Sequence, residues 1–104
     1  MGGVSIVAKR LKEARLRTGI SQKQLGIKAG IDEFSASARI NQYERGKHMP
    51  DLLTLTRLAA VMEVSVPYFY CQDAELADVI LRFSALGKAR RRRLRGLMDE
   101  LSGQ

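Results

Sequence analysis

Residues 20–50 constrain the fold more than any other stretch, because they hold two helix beginnings and two helix ends. Ser21 opens a Ser-x-x-Gln capping box, which predicts that a short helix begins there and ends at Gly30. A second short helix is predicted over residues 36–45 and is closed by Gly46. The pattern therefore predicts two short helices held at a fixed angle by a turn that contains a glycine.

The remaining sequence also carries helical rather than strand signals. Apolar residues recur three and four positions apart, and long alternating β-branched runs are missing. Further helices are predicted over residues 5–17, after Asp51, at Pro67, and as a pair within 73–101 that is divided at Gly87. An all-α fold follows. The positions expected to face inward are Val7, Leu11, Ala14, Leu25, Ala29, Ile40, either Tyr43 or Glu44, Leu52, Leu55, Leu58, Ala59 and Met62.

Length and composition fit a small protein of the cytoplasm. The chain has 104 residues, of which 45% are apolar, so it can bury a core. No run approaches the roughly 20 consecutive apolar residues that span a bilayer, and the first residues lack the apolar run of a signal peptide. The single cysteine, Cys71, fits a reducing compartment and is expected to be a small buried hydrophobe.

Positive charge is concentrated at the two ends of the chain. Residues 1–50 carry ten Lys and Arg against four Asp and Glu, a formal charge of +6. Residues 51–87 carry two against five, or −3, and residues 88–104 carry six against two, or +4. The large N-terminal excess coincides with the paired short helices, as expected if these helices approach phosphate groups.

Several separated elements resemble a known family in the same order. The segments RLKEARLRTGISQKQLG, INQYERGKHMP and LTRLAAVMEVSV are similar to the phage repressor–Cro (Xre-type) helix-turn-helix regulators, over roughly residues 6–70. The resemblance implies a five-helix, lambda-repressor-like DNA-binding domain over residues 1–71. Residues 72–104 then form a two-helix C-terminal extension.

The resemblance also implies roles for individual residues. Arg15 and Glu44 match the positions of a structural ion pair between the first helix and the recognition helix. Gln22 matches a side chain that touches a phosphate where the second helix begins. The residues expected to contact DNA are Gln22, Lys23, Ser37, Ala38, Arg39, Gln42, Arg45 and Lys47. Among them, Ser37, Ala38 and Gln42 are expected at base edges, and Arg45 and Lys47 near the DNA backbone.

The turn departs from the family pattern. Fourteen positions separate Gly30 from Glu44, about four more than is common, and the extra residues fall within 31–35. Either the turn is enlarged or the recognition helix begins earlier. Asp32 and Glu33 would be repelled by phosphate, so we expect this segment either to point away from DNA or to restrict how closely DNA can approach.

The C-terminal segment carries two apolar stripes at helical spacing, which predict a dimerisation surface. These residues are Leu76, Val79, Ile80, Phe83, Leu94, Leu97, Met98 and Leu101. The alternative is that the segment only caps the core. The arginine run over residues 90–95 has three interpretations: a solvated helix face, an auxiliary phosphate contact, or a surface for an acidic protein partner.

No catalytic or metal-binding pattern is recognisable in the sequence, so we expect neither an enzyme nor a cofactor. The predicted function is a sequence-specific transcriptional regulator, in particular a repressor, that binds a palindromic operator as a homodimer and associates with the nucleoid. An alternative is an antitoxin-type protein that binds a protein partner through residues 73–101 and regulates its own synthesis through DNA binding. A third, weaker alternative is non-specific nucleic-acid binding.

Overall fold

Most helix boundaries coincide with the predicted start and stop residues. The computed structural model describes residues 5–103. Residues 1–4 and 104, which belong to the predicted segments 1–71 and 72–104, lie outside the described part. Its helices are α1 (Ile6–Thr18), α2 (Gln22–Lys28), α3 (Ala36–Glu44), α4 (Leu52–Met62), α5 (Pro67–Tyr70), α6 (Ala74–Ala85) and α7 (Lys88–Leu101). The part of the chain described contains no strand. The predicted all-α fold of five helices followed by two is therefore confirmed.

Side-chain caps explain why the helices begin where they do. The Ser21 hydroxyl accepts from the backbone N–H of Gln24 at 3.0 Å, and the Gln24 side chain accepts from the Ser21 N–H at 3.3 Å. Asp51 accepts from the Thr54 N–H at 2.8 Å, and this bond lowers the pKa of the Asp51 carboxyl. The predicted left-handed cap ends α1 at Gly19, where φ is 76°.

The core lies among α1 to α5, where α1 contacts α3, α4 and α5. Tyr43 and Glu44 are both buried, which resolves the alternative left by the sequence. Leu52 was predicted to face inward, but 66% of it is exposed. It lies on the correct face of α4, but in the first turn, which extends past the core. The fully buried large residues are Leu11, Leu25, Ile40, Leu55, Leu58, Met62 and Phe69.

A buried arginine that the sequence did not single out ties α1 to the segment between α5 and α6. Arg10 donates to the carbonyl oxygens of Cys71 at 2.8 Å and Gln72 at 3.0 Å, and pairs with Glu13 at 2.8 Å. Its guanidinium lies 6.0 Å from the ring centre of Tyr68, whose pKa is raised by burial. These contacts fix where the C-terminal helices leave the core, with Cys71 buried as predicted.

Helix α6 divides the stripe that was predicted as one dimerisation surface. Ala77 is buried in the core, and Ile80 and Leu81 pack against it. Ile80 therefore contacts the protein's own core, whereas Leu76 and Val79 remain about half exposed. Exposed and buried positions alternate along α6 because residues 76 and 79 lie on the other side of the helix from 77 and 81.

Helix α7 contributes no buried residue to the core. Arg91 nevertheless fixes its start, because its guanidinium donates to the carbonyls of Phe83 at 3.1 Å and Ser84 at 3.0 Å. Both carbonyls belong to the last turn of α6, which lacks the N–H groups four residues on that would bind them in a continuing helix. The Phe83 carbonyl also accepts from the Leu86 N–H at 3.1 Å. No helix in residues 5–103 is long and apolar enough to cross a membrane.

A glycine sets the distance between α2 and α3. A Cβ atom added to Gly26 would lie 2.7 Å from the Cβ of Ala36 and 3.0 Å from its Cα. Such distances are far below van der Waals contact, and the Ala36 backbone cannot rotate away as a flexible side chain would. The absence of a side chain at Gly26 thus allows the two helices to approach closely.

We expect Gly26→Ala to lower the free energy of unfolding by about 1–3 kcal/mol, because the added methyl overpacks the α2–α3 contact. Thermal and urea unfolding followed by circular dichroism measure the change. Gly96→Ala is the matched control, since nothing lies within 4 Å of its added Cβ. Alanine should there stabilise α7 by about 0.5–1 kcal/mol. Equal effects at both sites would show that the α2–α3 contact is not tight.

Candidate nucleic-acid interface

The connection between α2 and α3 is an enlarged turn. Helix α3 begins at Ala36, so the helix does not start earlier to absorb the extra residues. Gly30 has φ of 91° and lets the chain leave α2, after which the Ile31 N–H donates to the Gly26 carbonyl at 2.9 Å. Asp32 then accepts from the N–H of Phe34 at 3.0 Å, which closes a second, tight turn. The enlarged turn thus supports itself through local hydrogen bonds.

This turn presents an acidic and aromatic tip. Asp32 and Glu33 are exposed, and the side chain of Phe34 is 95% exposed. The tip lies immediately before the first residues of α3. Two carboxylates here would repel a phosphate group that came within a few ångströms.

Helix α3 turns its polar and small residues outward. Ser37, Ala38 and Arg39 are exposed and Gln42 is half-buried, whereas Ile40 is in the core. Arg39 and Gln42 border a shallow cavity of about 290 Å³, together with His48 and Met49. The predicted base-contacting residues therefore share one accessible side of a single helix.

The carboxylate of Glu44 joins α3 to α1. Arg15 donates to it through Nε at 2.5 Å and through a terminal nitrogen at 3.1 Å. The pair is largely removed from water, since 12% of the Arg15 side chain and 3% of the Glu44 side chain are exposed. The remaining Arg15 nitrogen donates to the Ile20 carbonyl at 3.1 Å, just before α2. One guanidinium therefore positions α1, α2 and α3 relative to each other.

Gln22 takes part in the same network rather than pointing freely toward a phosphate. Its side-chain nitrogen donates to Glu44 at 3.1 Å and to the Asn41 side-chain oxygen at 3.3 Å. An amide has two hydrogens and both are engaged here, so a phosphate contact by this side chain would have to replace one of these bonds. Asn41 was missed because its role depends on where α2 lies, which no local pattern reports.

The loop after α3 folds back on the end of the helix and carries two cations outward. The N–H groups of Lys47 and His48 donate to the Gln42 carbonyl at 3.0 and 3.4 Å, across Gly46 with φ of 74°. Arg45 and Lys47 are exposed. In residues 5–103, the ion pairs are Arg10–Glu13, Arg15–Glu44 and Arg82–Asp78. The cations around α3 that stay outside these pairs are Lys23, Arg39, Arg45 and Lys47.

The surface around α3 combines exposed cations with exposed polar side chains. The described residues hold no group of three or more His, Cys, Asp and Glu side chains that could bind a metal ion. Two short helices with unpaired cations beside them are typical of a DNA-reading unit. The sequence model of a family described as Helix-turn-helix matches residues 11–69. The chain belongs to the helix-turn-helix family.

Two relatives support the same assignment. The HTH-type transcriptional regulator ImmR of Bacillus subtilis (strain 168) is 36% identical over 67 residues, 64% of this chain and 50% of that protein. The chain thus spans about half the length of ImmR. The crystal structure of the transcriptional regulator BswR matches with a TM-score of 0.84 and 48% identity, over 89% of this chain and 92% of that one. The predicted resemblance to Xre-type helix-turn-helix regulators is confirmed.

We expect Arg15→Ala to destabilise the helix-turn-helix fold by about 3 kcal/mol, because it leaves the Glu44 carboxylate buried without its cation. Thermal unfolding of Arg15→Ala, Glu44→Ala and the double variant gives the coupling energy, expected at about 1–3 kcal/mol. Arg82→Ala is the control, since its pair with Asp78 lies on the surface and should contribute less than 1 kcal/mol. Strictly additive single effects would contradict the coupling.

Proposed function

We propose that this helix-turn-helix protein is a sequence-specific transcriptional repressor that inserts α3 into the DNA major groove. The observation that supports this most directly is the division of charge around α3. Glu44 is neutralised inside the protein by Arg15, whereas Arg39, Arg45 and Lys47 face outward without acidic partners. The accessible side of α3 is thus positive, and its base-reading residues are free.

The exposed residues divide into two classes of contact. Ser37, Ala38, Arg39 and Gln42 lie on α3 and are assigned to base edges, where Gln can pair with adenine and Arg with guanine. Lys23, Arg45 and Lys47 flank α3 and are assigned to phosphates, which fix position but carry no sequence information. Gln22 is assigned a positioning role, because it holds Glu44 and Asn41 in place.

We expect Gln42→Ala to reduce discrimination between a duplex selected from a random pool and an unrelated duplex by about 1–3 kcal/mol. Lys47→Ala should weaken binding to both duplexes alike and lower the slope of log affinity against log salt by about 0.9. Fluorescence anisotropy at several salt concentrations measures both effects. Lys28→Ala is the control, because Lys28 lies in the last turn of α2 and is not assigned to a DNA contact. Uniform loss with Gln42→Ala, or failure to select any sequence, would contradict the proposal.

A homodimer would double the number of base contacts. One recognition helix reads only a few base pairs, whereas two related by a two-fold axis read half-sites about 34 Å apart in a palindrome. The C-terminal helices expose apolar side chains that nothing in the described residues covers. They are Leu76, Val79, Leu97, Met98 and Leu101. We propose that the extension over residues 72–104 dimerises through these side chains, in an isologous contact.

We expect the double variant Leu97→Ser, Leu101→Ser to sediment as a monomer at micromolar concentration while the unaltered chain sediments as a dimer. The reason is the loss of apolar surface that a second copy would cover. Leu16→Ser is the control, because Leu16 is similarly exposed but lies on α1. A monomeric unaltered chain would overturn the dimer and favour the antitoxin-type alternative, in which another protein covers these side chains.

A further inference from the structure

A basic cavity lies at the corner between α6 and α7, outside the helix-turn-helix itself. It has a volume of about 640 Å³, opens to solvent, and is lined by Phe83, Leu86, Lys88, Arg91, Arg92 and Arg95. Four of these six side chains are cations and none is acidic. Such a lining disfavours a neutral ligand and matches a negatively charged one.

One of the four cations has a structural role, which leaves three available. Arg91 donates to the carbonyls of Phe83 and Ser84, and its guanidinium lies 4.7 Å from the ring centre of Phe83. Lys88, Arg92 and Arg95 are exposed and belong to none of the ion pairs described above. Their spacing of four and three residues puts them on the same side of α7.

These three cations weaken the helix by repelling one another, since they are spaced four and three residues apart. Lys88, in the first turn of α7, also opposes the helix dipole. The first turn of α7 contains no acidic residue, and its N-cap Gly87 supplies no side-chain hydrogen bond to the free N–H groups. A bound anion would compensate both defects at once.

DNA is the source of that anion that fits the proposed role of α3. A second concavity is lined by Arg17 and Thr18 of α1, Met62 and Glu63 of α4, and Leu81, Ser84 and Ala85 of α6, so the end of α6 lies beside the end of α1. Three residues separate Thr18 from the start of α2, so the end of α6 lies near the segment that leads into the helix-turn-helix. Arg91 already covers one face of the Phe83 ring, which leaves less aromatic surface on which the base of a free nucleotide could stack.

The geometry points to a second phosphate-binding site, in which Lys88, Arg92 and Arg95 hold the DNA backbone beyond the base pairs that α3 reads. This inference rests on the proposed DNA-reading role of α3. It assigns the arginine run to two tasks: Arg91 fixes the angle between α6 and α7, and its neighbours on the cavity side bind phosphate.

The test compares two variants that remove the same charge from the same helix. Arg92→Gln with Arg95→Gln removes two cavity cations, whereas Arg90→Gln with Arg93→Gln removes two that do not line the cavity. Each is titrated, at several salt concentrations, with a selected duplex that either ends at the recognised sequence or continues ten base pairs further on each side. Circular dichroism melts verify that both variants fold.

We expect the cavity variant to lower the salt slope on the long duplex by about 1.8, at about 0.9 per phosphate, and to abolish any preference for the long duplex. The control variant should keep the slope and the preference of the unaltered chain. Equal slopes for the two variants would overturn the inference. So would calorimetric binding of inorganic pyrophosphate that depends on Arg92 and Arg95 while the DNA slope stays unchanged. Loss of sequence selection by the unaltered chain would instead overturn the proposed function.

Discussion

The orientation of α3 depends on one buried carboxylate. Glu44 lies at the end of α3, where its charge is withdrawn from water and would be costly without partners. Arg15 from α1 and Gln22 from α2 supply three hydrogen bonds to it. Because these donors come from two other helices, the charge can be satisfied only when all three helices are correctly placed. The network therefore favours one arrangement of the helix-turn-helix over other compact packings.

The same network separates the electrostatics of the fold from those of the surface. An acidic side chain next to DNA would normally weaken binding, yet Glu44 is enclosed and neutralised. The exposed acidic residues near α3, Asp32 and Glu33, are confined to the tip of the enlarged turn. The accessible side of α3 can then present Arg39 and Gln42 in a positive surrounding, at the cost of restricting how closely the turn can approach a phosphate.

The sequence predicted the elements whose signals are local. The capping box at Ser21, the left-handed Gly19 and the proline that opens α5 each act within one turn, and each was recognised. Features set by distant partners were not. The Gly26–Ala36 approach, the contacts of Arg10 with the segment before α6, and the engagement of Gln22 all depend on how helices meet. Family resemblance paired Arg15 with Glu44, but it could not show that Gln22 shares the same carboxylate.

The arginine run shows why counting charges does not assign roles. Arg91 and Arg92 are adjacent in sequence and both line the cavity, but their partners differ. Arg91 donates to two carbonyls in the last turn of α6, where a cation is favoured by the helix dipole. Arg92 faces the cavity one turn into α7, where Lys88 and Arg95 repel it. A cation in such an unfavourable position is explained most directly by a ligand that brings negative charge to it.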